Sequence, residues 1–278
     1  MSLSAPDAGQ GSRDRFVSVV IPTVRFDEHL DAAILSILAQ DIADLEIILV
    51  LDGVPMCEQR EWSKADRLRV LELATRVGTP GALNAGIAAA KGEFIARLDA
   101  DDLAMPHRLR LQRDFLLDNL DVGCVGSFVR LIDDAGEDLG GLESVVTPEE
   151  VRSRLMRSNP LVHSSVMYRR SVVTALGMYS SLMVRMQDYE LFLRLAAMSS
   201  ISILPEYLSA YRVHPGQHSR NSVPWKPYTF EILRKRSDLA RAVGVSQLRQ
   251  SLRNATWFVG QVVRHFGVVR PGYLRGAK

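Results

Sequence analysis

A doubly wound, mainly parallel α/β sheet is the fold that this sequence predicts, and three observations carry it. Short β-branched apolar runs alternate with stretches of helical periodicity. The runs are apolar almost throughout, as strands buried on both faces require. Two of them end in acids, Asp52 and Asp99, where open parallel sheets hold their ligands.

FVSVVIP (Phe16–Pro22) is a buried strand stopped by proline. DEHLDAAILSILAQ (Asp27–Gln40) spaces Leu30, Ile34, Ile37 and Leu38 as an amphipathic helix. LEIILVLDG (Leu45–Gly53) and LRVLEL (Leu68–Leu73) are the second and third strands. Thr79 and Pro80 read as N-cap and first helical position of a helix to about Lys91. EFIARLD (Glu93–Asp99) is the fourth strand; Pro106 opens a helix to about Leu120, and Val122–Ile132 is strand-like. DDAGEDLGG (Asp133–Gly141) is a turn between short strands. Thr147, Pro148 and Glu150 form an N-cap, N1 and N3 set opening a helix to Asn159. Gln187–Met198 is helical, with Leu191, Leu195 and Met198 on one face. Ile201–His214 is strand-like around Pro205, and two helices broken near Gly244 run from Trp225 to about His265.

The chain has 278 residues, 47% hydrophobic and 24% charged, enough for a substantial core. No apolar stretch approaches the roughly 20 residues of a membrane helix. Residues 1–14 are small and polar, read as disordered, and lack a signal peptide's apolar centre. Cys57 and Cys124 form no CxxC and read as buried thiols. The compartment these features suggest is the cytoplasm. Net charge is +2, but residues 201–278 carry 13 Lys+Arg against 3 Asp+Glu. That tail could face an anionic membrane surface, a phosphorylated acceptor or the protein's own acidic face, or be a solvated helical face. No nucleic-acid-binding motif is visible.

FIARLDADDLAMP (Phe94–Pro106) places Asp99, Asp101 and Asp102 within four residues. Such carboxylates repel unless a cation neutralises them. Hard divalent ions, Mg²⁺ or Mn²⁺, take oxygen ligands and bridge to phosphates, so the spacing fits a phosphate-metal clamp. The plainer account has Asp101 or Asp102 capping the helix near Pro106. A calcium EF-hand counted from Asp99 fails, because Ala104 and Arg110 stand where Gly and Glu are needed. Leu103 follows the acids where an aspartyl-phosphate phosphatase has Thr or Val.

Together these pieces resemble family 2 glycosyltransferases, nucleotide-sugar enzymes of the Rossmann-like GT-A fold. VSVVIPT (Val17–Thr23), SILAQ (Ser36–Gln40), LEIILVLDG, Gly81–Leu109, NPLVHSSVMYRRSVV (Asn159–Val173), QDYELFLRL (Gln187–Leu195) and YRVHPGQHS (Tyr211–Ser219) fall in the family's order and spacing. There are departures: Leu51 replaces the first of two acids, Arg25 an asparagine, and Gln187 an acid.

The resemblance implies a glycosyltransferase domain over 15–222, with 223–278 a basic helical extension. It implies inverting transfer from a nucleotide-diphosphate sugar, UDP favoured, to a carbohydrate or glycolipid hydroxyl. Asp101 would hold the metal, Mn²⁺ or Mg²⁺, with His214 nearby. Thr23, Asp52, Asn84, Arg97, Asp99 and Ala100 would line the donor site, with Asp52 on the base and Arg97 near the diphosphate. A strand residue paired to a neighbouring acid is the plainer account of Arg97. Asp188 would be the general base, kept ionised by its helix N-terminus; simple N-capping is its plainer account. His163 and Gln187 would lie on the acceptor side, and His218 and Arg220 near phosphate. The competing functions are a nucleotidyl- or phosphoryl-transferring enzyme and a non-catalytic nucleotide-sugar-binding module. IPTVRFDEH lacks the glycines of a phosphate loop, against the first; a binding module would not turn a donor over.

Overall fold

The structure is a computed structural model and describes residues 16–56, 60–214 and 223–266. Cys57, His218, Arg220 and the N-terminal 1–14 lie outside these residues. Four parallel strands open the chain: β1 (Val17–Thr23), β2 (Leu45–Asp52), β3 (Leu68–Leu73) and β4 (Phe94–Arg97). They are linked by α1 (Glu28–Leu38), a short 3₁₀ turn and α2 (Gly78–Ala89). Then come β5 (Leu103–Ala104), α3 (Arg108–Asp118), β6 (Val122–Ile132), β7 (Asp138–Leu142) and α4 (Pro148–Leu155). The chain closes with β8 (Met167–Arg169), α5 (Arg170–Ala175), α6 (Gln187–Met198), β9 (Ser200–Arg212), α7 (Pro227–Ala242) and α8 (Gln247–His265).

Among the described residues the strands form one sheet, ordered β3-β2-β1-β4-β8-β6-β9-β5, with β7 paired to β6. β1 is parallel to β2 and β4, and β2 to β3, as doubly wound topology requires. β8 enters antiparallel to β4 and β6, and β5 antiparallel to β9, so the sheet is mixed. β5, β8 and α5 are too short for a periodicity and gave no signal in the sequence.

Side chains alternate across the central strands. Val20, Ile48, Val50 and Ile95 join α2 and α6 on one face. Val17, Val19, Ile21, Ile47 and Leu49 join α1 and α3 on the other. Burial on both faces explains the unbroken apolar runs. α7 contributes Tyr228, Ile232 and Leu239 to the first of these cores. Gly86 lets α2 lie close on β1: a Cβ there would stand 2.4 Å from Val20 Cγ1. Among the described residues no helix is long and apolar enough to cross a membrane.

Three boundaries differ from expectation. α2 begins at Gly78 and its cap is Val77, not Thr79, because the Asp52 carboxylate accepts from the Val77 and Gly78 N–H groups (2.7 and 2.9 Å). β4 stops at Arg97, and Asp99 lies in a turn closed by Asp102 N–H donating to the Asp99 carbonyl (3.2 Å). α3 starts two residues past Pro106 with His107 as cap, so neither Asp101 nor Asp102 caps it. Met198 is solvent-exposed at the end of α6, while Leu191 and Leu195 are buried.

Candidate active site

The strand ends of β1, β2 and β4 open into a cleft of about 1270 Å³. Thr23, Asp52, Arg97, Asp99, Ala100 and Asp101 line one side; His163, Gln187, Asp188 and His214 also face it. The sheet alone cannot close such a space. The second wall comes from segments 142–145 and 158–163 and from the start of α6.

The acidic turn is held by cations of the protein itself. Arg97 is fully buried on β4 and pairs with Asp99. Burial alone would lower the Arg97 pKa, but Asp99 outweighs it and raises it. Ser164 Oγ bridges the pair: it accepts from Arg97 (2.8 Å) and from the Asp99 N–H (3.1 Å), and donates to the Asp99 carboxylate (3.2 Å). Arg108, also buried, donates to the Arg97 and Val166 carbonyls behind the turn (2.8 and 3.2 Å). Asp102 is buried, and its Oδ1 accepts from the Arg212 N–H (2.8 Å), tying the turn to β9. Burial first, then the Asp101 and Asp99 carboxylates, push the Asp102 pKa well up.

Asp99, Asp101 and Asp102 each offer a carboxylate oxygen within 4.8 Å of the others. Asp102 Oδ2 is buried without a hydrogen-bond partner. A buried carboxylate oxygen without a donor is costly, and a cation is the partner that this oxygen-only donor set suits. His214 Nε2 lies 2.9 Å from Asp101 Oδ2, so the segment after β9 brings this imidazole to the cluster. The residues present therefore fit a divalent metal.

Asp52 is engaged with the loop before α2, so its carboxylate orders the backbone there. Gly53 supports this approach with φ +71°, and a Cβ on it would meet Arg76 N at 2.5 Å. Thr23 Oγ1 donates to the Arg25 carbonyl (2.7 Å) and shapes the turn after β1. Asn84 lies on α2. It does not line the cleft; its amide donates to the Tyr179 carbonyl (2.8 Å) and accepts from the Tyr179 N–H (2.9 Å), stapling α2 to the segment before α6.

Asp188 occupies the first turn of α6, whose cap is Met186 in the left-handed region (φ 56°). Asn159 Nδ2 donates to its Oδ2 (3.0 Å). Burial raises the Asp188 pKa, against the backbone N–H groups of Tyr189 and Asp188 and the Arg97 charge, which lower it. The helix N–H groups favour the ionised form, as a helix terminus does, but burial is the larger influence. His163 is buried at the cleft floor, with Nε2 2.7 Å from Tyr179 Oη, which in turn contacts Tyr168 Oη. Burial, then the Arg97 charge, hold the imidazole neutral, well below the ordinary histidine pKa.

Sequence reasoning missed Asn159, Ser164 and Arg212 as partners of the acids. Asn159 and Ser164 lie in NPLVHSS, where histidine drew attention as the titratable group.

An acidic turn at the carboxyl edge of a parallel sheet, fit for a metal and facing a roomy cleft, lies where open α/β sheets bind their ligands. Residues 18–177 match the family "Glycosyl transferase family 2", and the chain belongs to that family. An uncharacterized glycosyltransferase of Methanocaldococcus jannaschii is 31% identical over 216 residues, 73% of each chain. The O-antigen biosynthesis glycosyltransferase WbnJ of Escherichia coli is 29% identical over 233 residues, 80% of this chain and 90% of its own. Among solved structures, S. aureus TarS in complex with UDP-GlcNAc shares the fold, with TM-score 0.66 at 18% identity, covering 93% of this chain and 75% of that one.

Proposed function

We propose that this glycosyltransferase moves a hexosyl group from a UDP-sugar to an acceptor hydroxyl with inversion, Asp188 acting as general base. One observation carries this reading: the acidic turn at Asp99–Asp102 and the raised-pKa carboxyl of Asp188 face the same cleft. That TarS was solved with UDP-GlcNAc supports the choice of UDP. Transfer needs the leaving diphosphate stabilised and the acceptor deprotonated as it attacks the anomeric carbon. The C–O bond to the diphosphate breaks as the bond to the acceptor oxygen forms, and Asp188 takes the proton. Its raised pKa makes it a stronger base than an ordinary aspartate.

Asp101, with Asp99, Asp102 and His214 beside it, would hold Mn²⁺ or Mg²⁺, which supplies Lewis-acid charge to the diphosphate when bound. Arg97 adds fixed positive charge behind Asp99. Asp52 and Thr23 shape the backbone that receives the base, and Ala100 gives the turn a small side chain against the donor. His163 and Gln187 stand on the acceptor side. O-antigen assembly by WbnJ supports a carbohydrate or glycolipid acceptor.

The test is calorimetric titration with UDP, dTDP and GDP, with Mn²⁺ and with chelator. Metal-dependent binding of UDP, lost in Asp101→Asn, is expected. Binding of none of the three nucleotides would overturn the reading.

A further inference from the structure

α8 is amphipathic in the wrong direction for a helix that packs only on its own protein. The face turned inward carries two amides, Gln250 and Asn254, beside Trp257. Gln250 is buried and donates to the Met156 carbonyl (2.9 Å). Asn254 donates to the Leu233 carbonyl (3.1 Å), and Trp257 meets Tyr189 edge to face. The face turned outward is apolar: Leu248, Leu252, Val259 and Phe266 are 75, 64, 59 and 69% exposed. At 3.6 residues per turn these four fall within about 40° of one another. At the far end Trp225, itself half-exposed, packs on His265 and Phe266.

From Gln247 to His265 there is no acid, while Arg249, Arg253 and Arg264 are present. An apolar stripe with arginines along one side and no acid, and with an aromatic cluster at one end, has the composition of a helix that lies in a lipid interface. A second copy fits less well, because two α8 faces would bring arginine to arginine with no acid on either helix. We propose that α8 docks this enzyme on the surface of an anionic bilayer. Leu248, Leu252, Val259 and Phe266 enter the acyl boundary, and Arg249 and Arg264 meet the headgroup phosphates. This goes beyond the sugar-transfer reading and stands or falls apart from it, since UDP binding is measured separately.

The experiment is cosedimentation of the full chain with vesicles of phosphatidylcholine alone or mixed with phosphatidylglycerol. Binding to the mixed vesicles is expected, weakening as salt screens it. Leu252→Glu with Val259→Glu should reduce it about 10-fold or more; Arg249→Glu with Arg264→Glu should abolish the preference for anionic lipid. Both pairs alter exposed side chains, and unchanged thermal unfolding and UDP binding would show that each variant is folded. Absence of vesicle binding by the full chain overturns the proposal. So does equal binding by the Leu252/Val259 variant. A dimer in sedimentation that the same variant dissolves, without lipid binding, would assign the stripe to a second copy instead.

Discussion

The two acidic walls of the cleft use the same residue type under opposite conditions. The turn at Asp99–Asp102 is crowded with carboxylates and is braced from behind by Arg97, Arg108, Ser164 and the backbone of Arg212. Asp188 stands apart, held by Asn159 and by the first N–H groups of α6, with burial raising its pKa. The first arrangement gathers carboxylate oxygens where a cation would fit. The second isolates one carboxylate, as the proposed general base requires. Environment, not residue type, would separate the proposed ligand from the proposed base.

The largest expected effect breaks the comparison outright. Asp188→Asn should lower kcat about 10²–10⁴-fold while metal-dependent UDP binding persists. Equal loss of binding and turnover would place Asp188 with the donor ligands and sink its role as base. A smaller effect sharpens it. Asn159 donates to the ionised carboxyl, so Asn159→Ala should raise the Asp188 pKa further. With Asp188 as the proposed base, activity falls as pH drops through its pKa, so the acid limb of the kcat profile should move to higher pH. An unmoved limb would mean that the Asn159 bond does not tune the base.

A third effect concerns the floor between the walls. His163 is neutral in the folded protein, its pKa well below the ordinary value. The unfolded chain protonates this side chain below about pH 6.5. Stability is therefore fully present above that value and is lost as pH falls, by about 1.4 kcal/mol per pH unit. His163→Asn removes the Tyr179 bond and should cost about 1–3 kcal/mol at neutral pH. The gap to wild type should narrow in acid. Urea unfolding at several pH values reads this directly, and a constant gap would refute the linkage.

How much of this was legible depended on whether residues work through local pattern or through distant contact. β1, β2, α1 and α6 were readable because their periodicities are long and their cores lie on the expected faces. The Thr147 capping box was readable because all its members lie within four residues. Asp99, Asp101 and Asp102 stood out as an electrostatic cost. The staple from Asn84 to Tyr179 was not readable, because an asparagine inside a motif says nothing of a partner 95 residues away. Asp52 likewise gave no hint that its carboxylate would accept from the Val77 and Gly78 N–H groups at the start of α2. Ser164 was invisible: its hydroxyl matters only once β8 has brought it beside β4. The charge of the C-terminal tail left a membrane surface, an acidic partner and a solvated face all open, because composition cannot reveal which face of α8 turns outward.

The smallest expected effect separates the walls by backbone rather than charge. Among the described residues Met178 and Met186 are the non-glycine positions with positive φ, and Met186 immediately precedes Gln187 and Asp188. A left-handed conformation costs an L-residue about 1–2 kcal/mol. Met186→Gly relieves that cost but loosens the unfolded chain and removes a side chain packed on the core. Net stability should shift by no more than about 1 kcal/mol, read by thermal unfolding. If the fixed turn aims Asp188 at the acceptor, kcat should still fall, since freedom at this hinge spreads the base over unproductive orientations. Unchanged kcat would show that Asn159 and the helix N–H groups suffice to aim the carboxylate, leaving the strain at Met186 a matter of chain direction alone.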